Sequence, residues 1–146
     1  MVKHIALGLQ EMRIMALDYG ERRVGVAISD PLRVIAQPLV TLKTSPHKKF
    51  FERLKFIIKQ YDVELVLVGN PLSHHGTATP MSERIKDFVI ELERTTGVNV
   101  QLWDERFTSS YAAKLMKEKG IKKQKEKLDQ VAACILLDEF LKSEAC

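Results

Sequence analysis

Cysteine is scarce in this 146-residue chain, with only Cys134 and Cys146 present. Two are too few for a disulfide framework, and Cys134, inside the apolar run VAACILL, reads as a small buried hydrophobe. Long apolar runs are also missing, and none approaches the roughly 20 residues that span a bilayer. The opening MVKHIALGLQEMR has a short apolar stretch and no small-residue cleavage site, so no signal peptide is expected and the cytoplasm is the expected compartment. Neither GxxxxGK[ST] nor GxGxxG occurs, which removes P-loop and Rossmann nucleotide sites. Clustered Cys/His ligands are absent too. His74 and His75 are adjacent in one loop and lack partners at useful spacing, so zinc is not expected.

What is there is ordinary globular composition, 45% hydrophobic and 29% charged, enough for one domain with a real core. The formal charge is +4. That leans toward polyanionic partners, because a phosphate backbone favours basic patches through counterion release. Arg13, Arg22, Arg23 and Arg33 sit early, and Lys117, Lys119, Lys122, Lys123, Lys125 and Lys127 crowd one late segment. The plainer reading of those lysines is a solvated loop.

Hydrophobic periodicity divides the chain into alternating elements. Residues 13–18 (RIMALD) read as a short apolar strand, Tyr19-Gly20-Glu21-Arg22 as a turn, and residues 23–29 (RVGVAIS) as an antiparallel second strand. Residues 34–42 supply a third, with Pro38 marking an edge or a bulge. The period then lengthens. Phe50, Phe51, Leu54, Ile57 and Ile58 predict an amphipathic helix over 46–60. Residues 64–69 (ELVLVG) suit a parallel strand covered on both faces. After the loop NPLSHHGTAT, Thr79 can cap a helix with Pro80 at its first position and Gly97 at its end. A strand over 98–104, a helix from Thr108 to Gly120 and an apolar helix over 128–141 complete the order. This predicts an α/β domain over 12–146: a mixed five-stranded sheet, three strands in an antiparallel meander and the rest parallel, with helices on both faces. Residues 1–11 look like an N-terminal extension, and Met12 is an equally sensible start.

In open sheets of this kind ligands gather beyond the carboxyl ends of the parallel strands. Asp18 ends the first strand, Asn70 follows the fourth, Asp104-Glu105-Arg106 ends the fifth, and Asp129 is expected in the first turn of the last helix. Each carboxylate has a plain structural role available. Asp18 suits a cap on the Tyr19-Gly20 bend, Glu105 a solvated strand end paired with Arg106, and Asp129 a helix N-terminal charge. Taken together they suggest more, because three carboxylates from distant segments converge on one sheet edge. Such a cluster is costly without a cation, and hard oxygen ligands suit Mg²⁺ or Mn²⁺. Paired ions of that type promote in-line attack of water on a phosphodiester. Thr108, Ser109 and Ser110 are read as helix-capping residues rather than nucleophiles.

Four segments, LDYGERRVGVAISDP, VGNPLSHHGT, DERFTSSYA and LDQVAACILL, occur in register from Met12 onward. In them the chain resembles the YqgF (RuvX) family of Holliday junction resolvases, also described as pre-16S rRNA nucleases. The resemblance implies a ribonuclease H-like fold and a metal-dependent nuclease of the hydrolase class. It implies Asp18, Glu105 and Asp129 as catalytic carboxylates binding Mg²⁺ or Mn²⁺. Gly20, Arg22, Asn70, Gly76, Thr77 and Arg106 are the implied substrate-side residues. The loop departs from the family pattern at Ser73 and His75. Asp104 is the nearest candidate for a fourth acid, although strand alternation points it away from Glu105.

The resemblance further implies nucleic acid partners, structured RNA or branched DNA, and pre-ribosomal particles, with no membrane and a monomer or homodimer. It points to 5′-end processing of pre-16S rRNA, with Holliday junction cleavage as the alternative. Two other classes stand beside the nuclease. A nucleotide-binding module is suggested by LDYG, since acid–Gly strand turns also open the phosphate loop of actin-like ATPases; ATP binding would favour it. A non-catalytic RNA-binding factor would keep the fold without metal-dependent cleavage.

Overall fold

The computed structural model describes residues 12–71, 75–104 and 122–145. The first three strands, β1 (Arg13–Tyr19), β2 (Arg23–Ser29) and β3 (Ala36–Lys43), pair in sequence as an antiparallel meander. Helix α1 (His47–Gln60) leads to β4 (Val63–Asn70), which pairs parallel to β1. Helix α2 (Pro80–Thr96) leads to β5 (Asn99–Asp104), parallel to β4. The chain ends in α3 (Lys122–Ala145). The result is a 5-stranded mixed sheet of order β3-β2-β1-β4-β5.

Alternation along the central strands makes two cores. Met15 and Leu17 of β1, Val24 and Val26 of β2, and Val66 and Val68 of β4 face one side. There they meet Phe50, Phe51, Leu54 and Ile58 of α1 and Ile85, Phe88 and Leu92 of α2. Ile14, Ala16, Ala27 and Leu67 face the other side, against Ala133, Leu136, Leu137, Phe140 and Leu141 of α3. Burial on both faces explains why β1 and β4 are near-continuous apolar runs rather than alternating ones. The sheet is therefore covered by helices on both faces, as expected.

Local signals act as the sequence suggests. Thr79 Oγ1 accepts from Ser82 N (3.1 Å) while Thr79 N donates to Ser82 Oγ (2.7 Å), a capping box ahead of Pro80. Gly97 closes α2 in the left-handed region at φ 74°. Pro38 lies on the edge strand β3, where the register jumps from Val26↔Val40 to Ala27↔Pro38 and leaves Leu39 as the extra residue of a bulge.

Two expectations are corrected. β3 begins at Ala36 rather than 34, because the carboxylate of Asp30 holds Val34 N (2.7 Å) and Ile35 N (2.8 Å) in a turn. The last helix begins at Lys122, six residues before the apolar pattern starts. Lys122, Lys123, Lys125 and Lys127 are therefore helical, not a loop. Their segment, KKQKEK, is built of strong helix formers with no apolar stripe to reveal it. Lys117, Lys119, the helix expected from Thr108 to Gly120, and residues 1–11 lie outside the described residues. Among the described residues no helix is long and apolar enough to cross a membrane.

Candidate active site

Asp18 is the penultimate residue of β1, on the side of Ile14 and Ala16 that faces α3. It is 1% exposed and pairs across the ladder with Gly25 of β2. Such burial is more than a turn-capping carboxylate at a solvated bend requires. Gly25 in turn lies directly beneath Asp129. A Cβ added to Gly25 would stand 2.1 Å from the carbonyl oxygen of Asp129 and 2.9 Å from its Cβ. Only glycine permits α3 to rest on β2 at this depth. One cross-strand pair and one helix contact thus bring Asp18 and Asp129 to the same patch of one sheet face.

Asp129 is also 1% exposed. Because α3 starts at Lys122, Asp129 falls in the third turn rather than the first, so the helix dipole does not account for it. Its partner is Arg23, whose Nε donates to Asp129 Oδ2 at 2.7 Å, with the arginine side chain 22% exposed. Arg23 opens β2 two residues before Gly25, so alternation sets it on the same face. Thr41 Oγ1 donates to the Glu126 carbonyl (2.7 Å), and Gln130 Nε2 donates to Thr41 Oγ1 (3.1 Å). These bonds tie the helix to β3 on either side of Asp129.

The turn between β1 and β2 is tight. Gly20 N–H donates to the Arg23 carbonyl at 2.9 Å, and a Cβ on Gly20 would lie 2.7 Å from that oxygen. The turn length fixes the register that opposes Asp18 to Gly25. Arg22 is exposed in this turn, its carbonyl accepting from Thr44 N (3.0 Å). Behind Asp18, Tyr19 faces the opposite side and packs on Phe88 with ring centroids 4.6 Å apart. Burial pushes the Tyr19 phenol above its ordinary value; Arg84 pulls it down and Glu91 pushes it up.

The other expected residues are more scattered. Asn70 ends β4 opposite Asp104 of β5, and alternation sets both on the α2 side, across the sheet from Asp18. Asn70 Oδ1 is buried with no hydrogen-bond partner among the described residues. Gly76, at φ 80°, and Thr77 are exposed in the loop between β4 and α2. Glu105 and Arg106 lie outside the described residues, as do Ser73, His74, Thr108, Ser109 and Ser110. Two of the three expected carboxylates are therefore brought together. Among the described residues no three His, Cys, Asp or Glu side chains form a metal-holding group. Arg23 and Gly25 are members of the site that the motif reading passed over. Strand alternation sets Arg23, Gly25 and Ala27 on one face, but only the cross-strand register and the seat of α3 make the first two companions of Asp18 and Asp129.

The donor chemistry fits a divalent cation. Two buried carboxylates, from β1 and α3, lie on one sheet face, the second of them paired with the Arg23 guanidinium, and oxygen donors of this kind suit Mg²⁺ or Mn²⁺.

Comparison with known proteins shows the family and the fold. A family model described as RuvX, Holliday junction resolvase, matches residues 12–143. A protein of Thermoanaerobacter pseudethanolicus, provisionally named a pre-16S rRNA nuclease, is 42% identical over 91% of this chain and 98% of its own length. A Listeria monocytogenes protein of the same name is 42% identical over 89% of this chain and 97% of its own. Among solved structures, Thermus thermophilus RuvC in complex with a Holliday junction substrate superposes with a TM-score of 0.57 at 18% identity, covering 92% of this chain and 96% of that one. The fowlpox virus resolvase complexed with junction DNA gives a TM-score of 0.54 at 16% identity, covering 92% and 100%. At such identities the likeness establishes the fold, which is ribonuclease H-like.

Proposed function

Because the chain belongs to the RuvX family, we propose that it is a nuclease that hydrolyses phosphodiester bonds in the 5′-end processing of pre-16S rRNA. The observation that carries the reading is the joint burial of Asp18 and Asp129 on one sheet face, through the contact of Gly25 with α3. Residues 12–146 act as the nuclease domain and residues 1–11 as an extension. Asp18, Asp129 and Glu105 are the proposed catalytic carboxylates and the proposed holders of Mg²⁺ or Mn²⁺. A bound cation of this type supplies Lewis acidity and lowers the pKa of a water molecule. The chain's own groups hold the carboxylates rigidly, exclude bulk water beneath α3, and offer Arg23 and Lys43 near the site for phosphate oxygens. Gly20, Arg22, Asn70, Gly76, Thr77 and Arg106 are the proposed substrate-side residues.

Curated relatives of near-equal length share the rRNA-processing name, which supports RNA as substrate; pre-ribosomal particles are then the natural partner and the cytoplasm the compartment. A second reading, cleavage of branched DNA, is supported by the description of the family model.

Cleavage of a labelled pre-16S 5′ leader and of a four-way DNA junction, each with Mg²⁺, Mn²⁺ or EDTA, tests both readings. The expected result is metal-dependent cutting of the RNA, lost in Asp18→Asn, Glu105→Gln and Asp129→Asn. Symmetric cutting of the junction alone moves the assignment to a resolvase. No cleavage of either overturns the nuclease reading in favour of a binding factor, and full activity in Asp18→Asn overturns the assignment of Asp18 as a catalytic carboxylate.

A further inference from the structure

We infer that Arg23 is a built-in counter-cation of the carboxylate site, which holds Asp129 when no divalent ion is bound and has to be displaced when one binds. The inference rests on the reading of Asp18 and Asp129 as metal ligands.

The geometry is specific. Arg23 Nε sits 2.7 Å from Asp129 Oδ2, within range for a charge-assisted hydrogen bond. Asp129 is sealed under α3, whereas Arg23 retains 22% of its side-chain exposure. The acid is therefore the fixed partner and the guanidinium the one with a route to solvent. A cation coordinated by Asp129 takes over the charge that Arg23 compensates, and two positive groups cannot share one buried carboxylate without mutual repulsion.

Lys43 completes the basic edge that the released guanidinium joins. It pairs directly with Arg23 across β2 and β3, so both cations project from the same face. Like charges directly opposite one another are destabilising, and Asp129 relieves this by engaging Arg23. Once a metal ion engages Asp129, Arg23 and Lys43 become a two-cation edge beside the site. A phosphate oxygen is the group whose charge and size answer it. Metal binding and phosphate binding are then coupled through one side chain, each strengthening the other.

The test is Mn²⁺ binding by calorimetry to the full chain in the absence of nucleic acid, for wild type, Arg23→Gln and Arg23→Lys. Removing the competing cation is expected to tighten Mn²⁺ binding about tenfold in Arg23→Gln, near the lower end of what a hydrogen bond to a charged group contributes. Metal-free Arg23→Gln is expected to melt below wild type, because Asp129 stays buried without its guanidinium, and saturating Mn²⁺ is expected to raise its Tm by more than it raises that of wild type. Arg23→Lys keeps the charge but loses the planar donor, and its affinity is expected between the two, about threefold tighter than wild type. If Arg23→Gln does not fold, Arg23→Lys alone decides. Equal or weaker Mn²⁺ binding by the variants overturns the counter-cation role and makes Arg23 a structural brace. Absence of Mn²⁺ binding in wild type and variants alike overturns the metal reading of the site as well.

Discussion

Gly25 and Asp129 meet backbone to backbone: a methyl group on Gly25 would penetrate to 2.1 Å from the Asp129 carbonyl oxygen. The two nearest obstructing atoms are main-chain atoms of a helix anchored by Leu136, Leu137 and Phe140, so they cannot yield as the tip of a flexible side chain would. This one close approach sets the depth of α3 on the sheet. Since Gly25 pairs with Asp18, it also sets the separation of the two buried acids.

Gly25→Ala therefore lifts the helix or bends β2. The expected loss of stability is about 3 kcal/mol, at the upper end of the overpacking range, and nuclease activity falls with it. Urea denaturation read by circular dichroism checks the first part. A variant as stable as wild type would show that α3 is not seated on β2 at this point.

Much of this arrangement is legible in the sequence, and the reasons differ by element. The limits of β2 follow directly from RVGVAIS, because alternation and apolar filling end together at Ser29. The sidedness of β1 is harder, since a strand buried on both faces shows no alternation. There the faces emerge only once Met15 and Leu17 are seen against α1 and α2, and Ile14 and Ala16 against α3. The start of α3 escapes periodicity altogether, because residues 122–127 carry no apolar stripe and form helix by propensity. Asp18 and Asp129 stand out as acids next to apolar runs. Arg23 and Gly25 do not, because their roles depend on a cross-strand register and a helix docking depth, which are tertiary facts.

Asp30 carries a pH signature. Desolvation pushes its carboxyl up, but the backbone N–H groups of Ile35 and Val34 more than offset this, leaving it below its ordinary value of 3.8. A carboxyl lowered on folding stabilises the native state above the unfolded value, and the contribution is lost as pH falls through the folded value. Wild type is thus expected to exceed Asp30→Ala in stability at neutral pH. The gap should narrow only below about pH 4, the ordinary carboxylate range. Urea midpoints of both proteins across the acid range provide the check, and a gap that persists unchanged to the lowest pH at which both remain folded sinks the idea.

The thiol of Cys134 is half-buried on α3, and desolvation, reinforced by Asp138, pushes it up to about 11. Thiolate is the reactive form, so at mildly alkaline pH Cys134 is expected to alkylate far more slowly than a free thiol of pKa about 8.5. In a Cys146→Ser background, iodoacetamide labelling followed by mass spectrometry should be slow at pH 8 and still accelerating past pH 10. Rapid labelling at pH 8 would mean that the helix face around Cys134 is open to solvent.

The basic edge beside the site offers the broadest test of nucleic acid binding. Lys43 ends β3 opposite Arg23, and a groove continues from it past Ser45 to Lys49 and Arg53 of α1, with Glu126 of α3 on its rim. If a phosphate backbone follows this groove, each lysine contact releases a counterion when it forms. Lys43→Ala and Lys49→Ala together should weaken binding of catalytically inactive Asp129→Asn protein to RNA regardless of sequence. They should also flatten the dependence of log K on log salt by about 0.7 per lost contact for single strands and about 0.9 for duplex. Filter binding at several salt concentrations measures both the loss and which slope applies. The same pair of changes should leave thermal stability near that of the parent, because Lys43 and Lys49 are exposed. An unchanged salt slope would route the backbone elsewhere, across the exposed loop that carries Gly76 and Thr77.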